Sequence, residues 1–341
     1  MNKKMDRVPL VQVQGLKTYF YKGKGILSKV FGKGLRIVHA VDDVSFTIEA
    51  GKNFSLVGET GCGKSTVGRS ILRLVEPMDG KILFEDQNIL NFGKKEMRNF
   101  RRQAQIVMQD PRSSLNPRMT AGEIIAEPLR IHRIKKYEDE IQDEVARLLE
   151  TVRLSGDDAD KFPHEFSGGQ ARRIGIARAL VLRPQFIVAD ELTSGLDVSI
   201  SAAILDLMQD LQDEFKLTYM WISHDLHMVK YISDNIAIMY LGKIVEIGRA
   251  QDISGGPMHP YSQALFSAIP SVKPGQATRK IILKGEVPSP IHPPSGCSFN
   301  TRCPRKLGAI CETDMPPWLD AGDGHHLSCH IPLEILRKVQ E

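Results

Sequence analysis

The chain has 341 residues, of which 42% are hydrophobic and 25% charged, so it can bury a full core in one large domain or two unequal ones. Its net charge is only +4, and because the basic residues are spread along the chain, a nucleic-acid partner is not expected. The N-terminus lacks the apolar stretch of a signal peptide, and no window holds about 18 uninterrupted apolar residues, so no bilayer span is predicted.

The sequence pattern of the N-terminal part of the chain predicts strands followed by a helix. Residues 11–20 and 38–48 alternate apolar and polar side chains, as half-buried strands do. The basic, glycine-rich stretch 22–36 between them is interpreted as an exposed hairpin loop, with contact to lipid head groups as the alternative. The apolar run 54–57 leads into a glycine-rich turn and then a helical pattern at 64–74.

Further along, the pattern predicts an α/β core with a helical insertion. Residues 111–165 are helical in pattern, with an amphipathic stretch at 141–152. A buried strand (185–190), a helix (198–215), a strand (218–223) and a helix (226–232) then alternate, which builds a parallel sheet. Two short strands follow within residues 236–247. After residue 250 lie 12 of the 19 prolines and four of the five cysteines, which predicts a loop-rich appendage without its own core.

The strongest chemical signal is the glycine-rich turn after the strand at 54–57. It fits the P-loop pattern with Gly58, Glu59, Thr60, Gly61, Cys62, Gly63, Lys64, Ser65 and Thr66. A polyphosphate needs a concave set of backbone N–H donors, and glycine lets the chain curl tightly enough to supply it. Lys64 is expected to reach the β- and γ-phosphates, and the Ser65 hydroxyl to ligate Mg²⁺.

Two acidic residues end the buried strand at 185–190. Asp190, at the tip of a parallel strand, is predicted to hold Mg²⁺ through water. Glu191 points elsewhere and is the candidate that orients and deprotonates the attacking water. The alternative is that both acids merely cap the strand for solubility, and the P-loop upstream argues against it.

A second anion site is predicted at the start of the helical run 171–182. Ser167, Gly168, Gly169 and Gln170 place a hydroxyl and bare backbone amides there. A simple helix N-cap is the alternative interpretation. Because this string precedes the Asp190 and Glu191 pair, it resembles the signature motif of the ABC ATPase family.

The resemblance covers residues 10–330 and implies a fold. The expected architecture is α/β, a P-loop NTPase (RecA-like) core with an antiparallel β-subdomain, an α-helical signature subdomain at about 110–175, and a small Cys/Pro-rich C-terminal appendage. The implied domains are a nucleotide-binding domain over residues 1–254 and a C-terminal region over 255–341.

The same resemblance assigns further site residues. Gln109 matches the Q-loop glutamine and joins Ser65 and Asp190 around Mg²⁺. Asp197 closes the D-loop, and His224 matches the switch histidine that contacts the γ-phosphate, with a plain structural role as its alternative. An aromatic ring is implied against adenine, for which Phe20 and then Tyr19 are the candidates, with simple packing as the alternative.

The tail contains Cys297, Cys303, Cys311 and Cys329, whose thiolates could hold a metal. The surrounding sequence resembles the C-terminal region of dipeptide and oligopeptide permease ATP-binding subunits, whose members carry a 4Fe-4S cluster on a matching set. Zinc is the alternative to the cluster. It is the less favoured of the two metals because no two of these cysteines have the close sequence spacing of tight zinc sites. Disulfides are not expected without an export signal. Cys62, in the P-loop, is not a ligand candidate.

The implied function is that of an ATP- and Mg²⁺-dependent motor of a peptide importer, and Gln170 suggests its F-type subunit. Implied partners are a second ABC ATPase subunit in a heterodimer, two integral membrane permease subunits and an extracytoplasmic substrate-binding protein, with this chain at the cytoplasmic face of the membrane. A nickel importer, a soluble ABC ATPase acting on ribosomes or DNA, and a small-molecule P-loop kinase are the alternatives. Departures from the family pattern at Arg112, Ala171, Leu192 and Gly195 remove no phosphate or metal ligand but leave the turnover rate open.

Overall fold

The computed structural model describes residues 9–22, 36–110, 114–269 and 280–337. The strands of this part of the chain are β1 (Pro9–Lys22), β2 (Arg36–Glu49), β3 (Asn53–Val57), β4 (Asp79–Phe84), β5 (Gln87–Asn88), β6 (Ala104–Val107), β7 (Phe186–Asp190), β8 (Thr218–Ser223), β9 (Asn235–Tyr240), β10 (Lys243–Arg249), β11 (Trp318–Gly322) and β12 (His325–Ser328).

The α-helices of the same residues are α1 (Lys64–Ile71), α2 (Lys94–Gln103), α3 (Ala121–His132), α4 (Glu138–Thr151), α5 (Gly168–Leu180), α6 (Val198–Phe215), α7 (Leu226–Ile232), α8 (Ala250–Gly255), α9 (Pro260–Ser267), α10 (Ile310–Thr313) and α11 (Leu333–Arg337). The predicted bounds of α6, β8 and α7 are confirmed residue for residue. In the described residues no helix has both the length and the apolar character needed to cross a bilayer.

The chain divides into two compact units. The signature unit contains the described residues of 49–52 and 89–221, and the P-loop unit contains the described residues of 9–48, 53–88 and 222–337. The last change from one unit to the other along the chain falls within β8, after Trp221. The predicted domain boundary at residue 254 stays a prediction.

In the signature unit, β6 and β7 pair in parallel, from Ala104 opposite Phe186 to Val107 opposite Ala189. Every residue of β7 is buried, which explains why its sequence is a continuous apolar run instead of an alternating one. Of the parallel sheet predicted for residues 185–232, this pairing confirms the parallel arrangement of β7. Because the carboxyl ends of parallel strands meet at one edge, Gln109 and Glu191 follow neighbouring strand ends.

The helical insertion is confirmed by α3 and α4. Thr120 caps α3 in a reciprocal capping box with Glu123, which fixes where this helix begins. On α4, the apolar residues Ile141, Val145 and Leu148 recur at helical spacing and are buried. The predicted start of the insertion, residues 111–113 with Arg112, lies outside the described residues.

The P-loop unit contains two sets of strands. The first, in the order β2-β1-β4-β5, pairs β1 antiparallel to β4, with Val11 opposite Phe84. In the second, β3 and β9 are parallel, and β10 runs antiparallel to β9. The strands predicted at residues 11–20 and 38–48 are therefore confirmed. Of the predicted loop 22–36, residues 23–35 lie outside the described part of the chain.

The C-terminal tail differs from its prediction because it has a small core. Strand β12 pairs antiparallel with β10, and β11 pairs with β12. Leu327, Cys329, Ile331 and Leu336 form a buried cluster. The expectation of a tail without a core was wrong, because the short strands obtain their pairing partner from β10 and need no long alternating pattern of their own.

Candidate functional site

The predicted phosphate loop connects β3 to α1 in the P-loop unit. Gly58 and Gly63 have φ angles of 154° and 110°, in the region that favours glycine. A Cβ atom on Gly58 would lie 2.2 Å from the Met239 carbonyl oxygen, and one on Gly63 would lie 2.0 Å from that of Ala40. The neighbouring strands therefore leave room at these positions for glycine alone. Glycine-rich loops of this kind can offer backbone N–H groups to a polyphosphate.

Lys64 folds back across this loop. Its side chain is buried, and its ammonium group donates to the carbonyl oxygens of Gly58 at 2.8 Å and Glu59 at 3.0 Å. Helix α1 has Gly63 as its N-cap and no capping side chain, so its first N–H groups and its dipole favour an anion. The arrangement places the positive charge of Lys64 beside the start of α1, where the Ser65 side chain is half-buried.

Three more predicted residues belong to the P-loop unit. His224 follows β8 and is exposed. The Tyr19 hydroxyl donates to the Asp42 carboxylate at 2.6 Å, and burial together with this bond raises the pKa of Tyr19. Asp42 in turn pairs with Lys243 at 2.7 Å. Since the Tyr19 hydroxyl is engaged while the Phe20 ring is 39% exposed, Phe20 is the more accessible aromatic surface for a base. The adenine contact stays a prediction.

In the signature unit, Asp190 and Glu191 end β7. Asp190 is 1% exposed, whereas Glu191 is partly exposed and has a φ of 48°, an uncommon value for a residue other than glycine. The Gln109 amide donates to the Glu191 carboxylate, with 2.6 Å between Nε2 and Oε2. The structure thus brings the predicted Q-loop glutamine and the predicted base together.

Ser167 begins α5 in a reciprocal capping box. The Gln170 backbone N–H donates to the Ser167 hydroxyl at 3.3 Å, and the Gln170 side chain accepts from the Ser167 N–H at 3.0 Å. Both side chains are exposed. The N-cap role considered for this motif is therefore confirmed, and the role in anion binding stays a prediction.

A Cβ on Gly168 would lie 3.7 Å from Leu196, so the motif lies beside the predicted D-loop. Asp197 caps α6 by accepting from the Ile200 N–H at 2.8 Å.

Arg172, in the second turn of α5, was missed by the sequence reasoning. It is 6% exposed and donates to the carbonyl oxygens of Leu192, Ser194 and, at 3.3 Å, Gln109. Burial lowers the pKa of its guanidinium. Through these hydrogen bonds, Arg172 connects α5 to the segment after β6 and to the turn that follows Glu191. A single basic residue in a helical pattern gives no signal of such a role.

The four tail cysteines are free thiols of the P-loop unit. Burial raises the pKa of Cys297 and Cys329 to about 11, and the neighbouring thiols add to the shift. Among the described residues, no group of three or more His, Cys, Asp or Glu side chains is arranged to hold a metal ion. The structure therefore groups the predicted cysteines in one region without forming a ligand set for a single ion.

The residues predicted for the nucleotide site belong to two different units. The phosphate loop with Ser65, and also His224, lie in the P-loop unit. Gln109, Asp190 and the residues around Ser167 lie in the signature unit. Of the residues predicted around Mg²⁺, Ser65 belongs to the P-loop unit and Gln109 and Asp190 belong to the signature unit. All three are hard oxygen ligands of the kind that Mg²⁺ prefers.

Comparisons with known proteins agree with these motifs. Residues 41–194 match the ABC transporter family, and residues 245–311 match the oligopeptide/dipeptide transporter C-terminal region. The oligopeptide transport ATP-binding protein AppF of Bacillus subtilis (strain 168) is 45% identical over 94% of this chain and 97% of its own length. A putative peptide import ATP-binding protein of Brucella ovis is 46% identical over 95% of this chain and 98% of its own length.

Solved structures show the same fold. The chain is similar to cbiO1 of Clostridium perfringens, part of the ABC transporter complex cbiONQ, with 26% identity and a TM-score of 0.60 over 72% of this chain and 90% of that one. It is also similar to the ATP-binding cassette MJ0796 bound to ADP and Pi, with 25% identity and a TM-score of 0.61. This match covers 70% of this chain and 98% of that one. The predicted α/β P-loop NTPase fold is confirmed. The chain belongs to the ATP-binding subunits of ABC transporters, and it carries the C-terminal region of the oligopeptide/dipeptide transporter group.

Proposed function

We propose that this ATPase powers the import of dipeptides or oligopeptides across a membrane. The observation that carries the proposal is the combination of an ABC cassette with the oligopeptide/dipeptide C-terminal region in one chain. The relatives named for peptide import match nearly the whole chain, so the likeness extends beyond the ATPase motifs.

In the proposed mechanism, the P-loop holds the phosphates. The backbone N–H groups around Gly61 and the Lys64 ammonium bind the β- and γ-phosphates, and Lys64 exchanges its carbonyl partners for phosphate oxygens. Ser65, Gln109 and Asp190 would hold Mg²⁺, which neutralises charge on the phosphates.

Hydrolysis itself is assigned to Glu191 and His224. Glu191 orients and deprotonates the attacking water, and its hydrogen bond to Gln109 fixes the direction of the carboxylate. His224 contacts the γ-phosphate. Ser167 and the following amides bind the γ-phosphate of nucleotide held by a second ATPase subunit, with Asp197 beside the same interface. MJ0796 is described as a dimeric cassette, which supports such an assembly.

The proposed partners follow from the import function. They are a second ABC ATPase subunit in a heterodimer, two integral membrane permease subunits that form the pore, and an extracytoplasmic binding protein that selects the peptide. This chain would lie at the cytoplasmic face of the membrane, and the insertion containing α3 and α4 would pass its motion to the permease.

Reconstitution tests the peptide proposal. The chain and its copurifying membrane subunits are placed in proteoliposomes, and ATP-dependent uptake of a labelled tripeptide and of ⁶³Ni²⁺ is measured. Peptide uptake that requires this chain and stops in Glu191→Gln supports the proposal. Nickel uptake alone, or recovery of the chain with ribosomes instead of membrane subunits, contradicts it.

An iron-sulfur cluster on Cys297, Cys303, Cys311 and Cys329 is a second part of the proposal. The donor set supports it: four free thiols lie near enough to affect one another's pKa values. A cluster contains its own iron and sulfide and needs its ligands further apart than one zinc ion does.

Anaerobic purification tests the cluster. We expect a brown protein with about four iron atoms per chain, and loss of the absorbance in Cys303→Ser. Cys62→Ser is the matched control, because Cys62 lies in the P-loop and is not part of the set. A colourless protein containing zinc, or no metal at all, would refute this part of the proposal without affecting the peptide assignment.

A further inference from the structure

Glu59, the second residue of the P-loop, is held by two side chains from the C-terminal tail. The Arg302 guanidinium donates two hydrogen bonds to the Glu59 carboxylate, at 2.7 Å and 3.2 Å. The Tyr261 hydroxyl accepts the Glu59 backbone N–H at 3.0 Å. All three residues belong to the P-loop unit, although more than two hundred positions separate Glu59 from either partner.

The Arg302 pair has the features of a strong ion pair. Its contact is bidentate, and the side chains are 9% and 27% exposed. Such pairs are more directional and less screened by solvent than a single contact on the surface. The hydrogen bond to Glu59 is also the largest contribution to the raised pKa of Arg302.

An aromatic cluster supports both tail residues. The rings of Tyr240, Tyr261 and Phe299 pack with centroids 4.7, 5.2 and 5.3 Å apart. The Arg302 guanidinium lies 5.9 Å from the centroid of the Tyr240 ring. Because Tyr261 and Phe299 are fully buried, the tail presents its two donor and acceptor groups from a rigid base.

Glu59 also connects these contacts to the phosphate-binding groups. Its carbonyl oxygen accepts from the Lys64 ammonium at 3.0 Å, and it lies between Gly58 and Gly61 in the loop. A contact that only fastened the tail could use any residue of the unit. Here the N–H, the carbonyl and the carboxylate of one loop residue are all engaged, so the backbone conformation of the loop depends on the tail.

We infer that Arg302 and Tyr261 are positioning residues for the P-loop, through which the C-terminal tail sets the affinity for nucleotide. Preorganisation of the loop removes part of the ordering cost of binding phosphate. Neither residue contacts the nucleotide itself in this scheme. The inference requires ATP binding by this chain and is independent of which solute is transported.

Nucleotide affinity tests the inference. The Kd of the full chain for a fluorescent ATP analogue is measured for wild type, Arg302→Ala, Arg302→Lys and Glu59→Ala. We expect Arg302→Ala to raise Kd about tenfold, as loss of about 1.4 kcal/mol implies, and Arg302→Lys to restore part of the affinity through one remaining hydrogen bond. The double variant of Glu59→Ala and Arg302→Ala should bind no more weakly than the weaker single variant, because the two residues act through one contact.

Arg305→Ala is the matched control. Arg305 lies in the same part of the tail but donates to Gln263 and Ile335 instead of the loop, so its variant should keep the wild-type Kd. If Arg302→Ala does not fold, Tyr261→Phe, which removes one hydroxyl, is measured in its place, and we expect a Kd several-fold above wild type. A melting temperature that falls while Kd stays unchanged in Arg302→Ala or Tyr261→Phe would overturn the inference, since the contact would then only fasten the tail.

Discussion

The Gln109 side chain donates to the Glu191 carboxylate across 2.6 Å, at the ends of two neighbouring parallel strands. A hydrogen bond from an amide donor limits rotation of the Glu191 carboxylate. Glu191 also has a φ of 48°, a backbone conformation that is uncommon for a residue other than glycine. The pair therefore combines an oriented carboxylate, the proposed base, with a neutral partner that does not compete for a proton.

Replacing Glu191 with Gln should abolish most hydrolysis while ATP still binds. The substitution preserves size and removes the basic oxygen, so we expect kcat to fall by about 10²- to 10⁴-fold. Phosphate release gives kcat, and equilibrium binding of a fluorescent ATP analogue gives Kd, which should change little. Hydrolysis at the wild-type rate would remove Glu191 from the role of base.

Gln109 should affect the rate through Glu191. In Gln109→Ala the carboxylate loses its orienting donor, and we expect kcat to fall about tenfold, the effect of about 1.4 kcal/mol. In Gln109→Glu two carboxylates would face each other and share a proton, which raises the pKa of the pair. The pH at which hydrolysis is half-maximal should then shift upwards in Gln109→Glu and not in Gln109→Ala. Equal pH profiles would show that the two side chains do not interact during turnover.

The capping geometry of Ser167 permits a clean test of the proposed second anion site. Asp caps helices as well as Ser does, so Ser167→Asp should preserve α5 while its charge repels the γ-phosphate. We expect nearly unchanged binding of ATP to the single subunit, and a loss of hydrolysis of at least about tenfold. Ser167→Thr, which keeps a neutral capping hydroxyl, should stay close to wild type. Full hydrolysis by Ser167→Asp would argue that this motif is only a helix cap.

Arg172 should be important for both stability and turnover. Arg172→Met keeps the buried apolar stem but leaves carbonyl oxygens of Gln109, Leu192 and Ser194 without their donor. We expect the free energy of unfolding to fall by about 3 kcal/mol. Arg173→Met is the control, because Arg173 donates to the Arg153 carbonyl at an exposed position, and its loss should cost below about 1 kcal/mol. Urea denaturation followed by circular dichroism distinguishes the two.

Local signals explain what the sequence predicted well. The P-loop, α6 and β8 depend on glycine spacing, on helical periodicity and on an apolar run, all of which lie within a few adjacent residues. The bonds from Arg302 to Glu59 and from Arg172 to the turn after Glu191 join distant positions, and a single basic residue carries no mark of its partner. The core of the tail escaped prediction for a similar reason, since β12 depends on the edge of β10.

His259 provides a pH-dependent contribution to the tail. It is 1% exposed and is the N-cap of α9, where its Nδ1 accepts the Tyr261 N–H at 3.1 Å. A nitrogen that accepts a hydrogen bond cannot carry a proton, so the imidazole is neutral in this arrangement. Burial lowers the pKa of His259 to about 4, although the nearby Glu246 carboxylate acts in the opposite direction.

The low pKa of His259 should make the protein less stable in mild acid. Between pH 6.5 and about 4 the unfolded chain binds a proton at this position and the folded chain does not, so stability falls as the pH falls through this window. Across this pH window the free energy of unfolding falls by about 3 kcal/mol. His259→Asn keeps a capping acceptor for the Tyr261 N–H and removes the titrating group. The unfolding free energy of the variant, measured in urea at pH 7 and pH 4.5, should therefore depend less on pH than that of the wild type. An identical dependence in both proteins would mean that other groups cause the acid sensitivity.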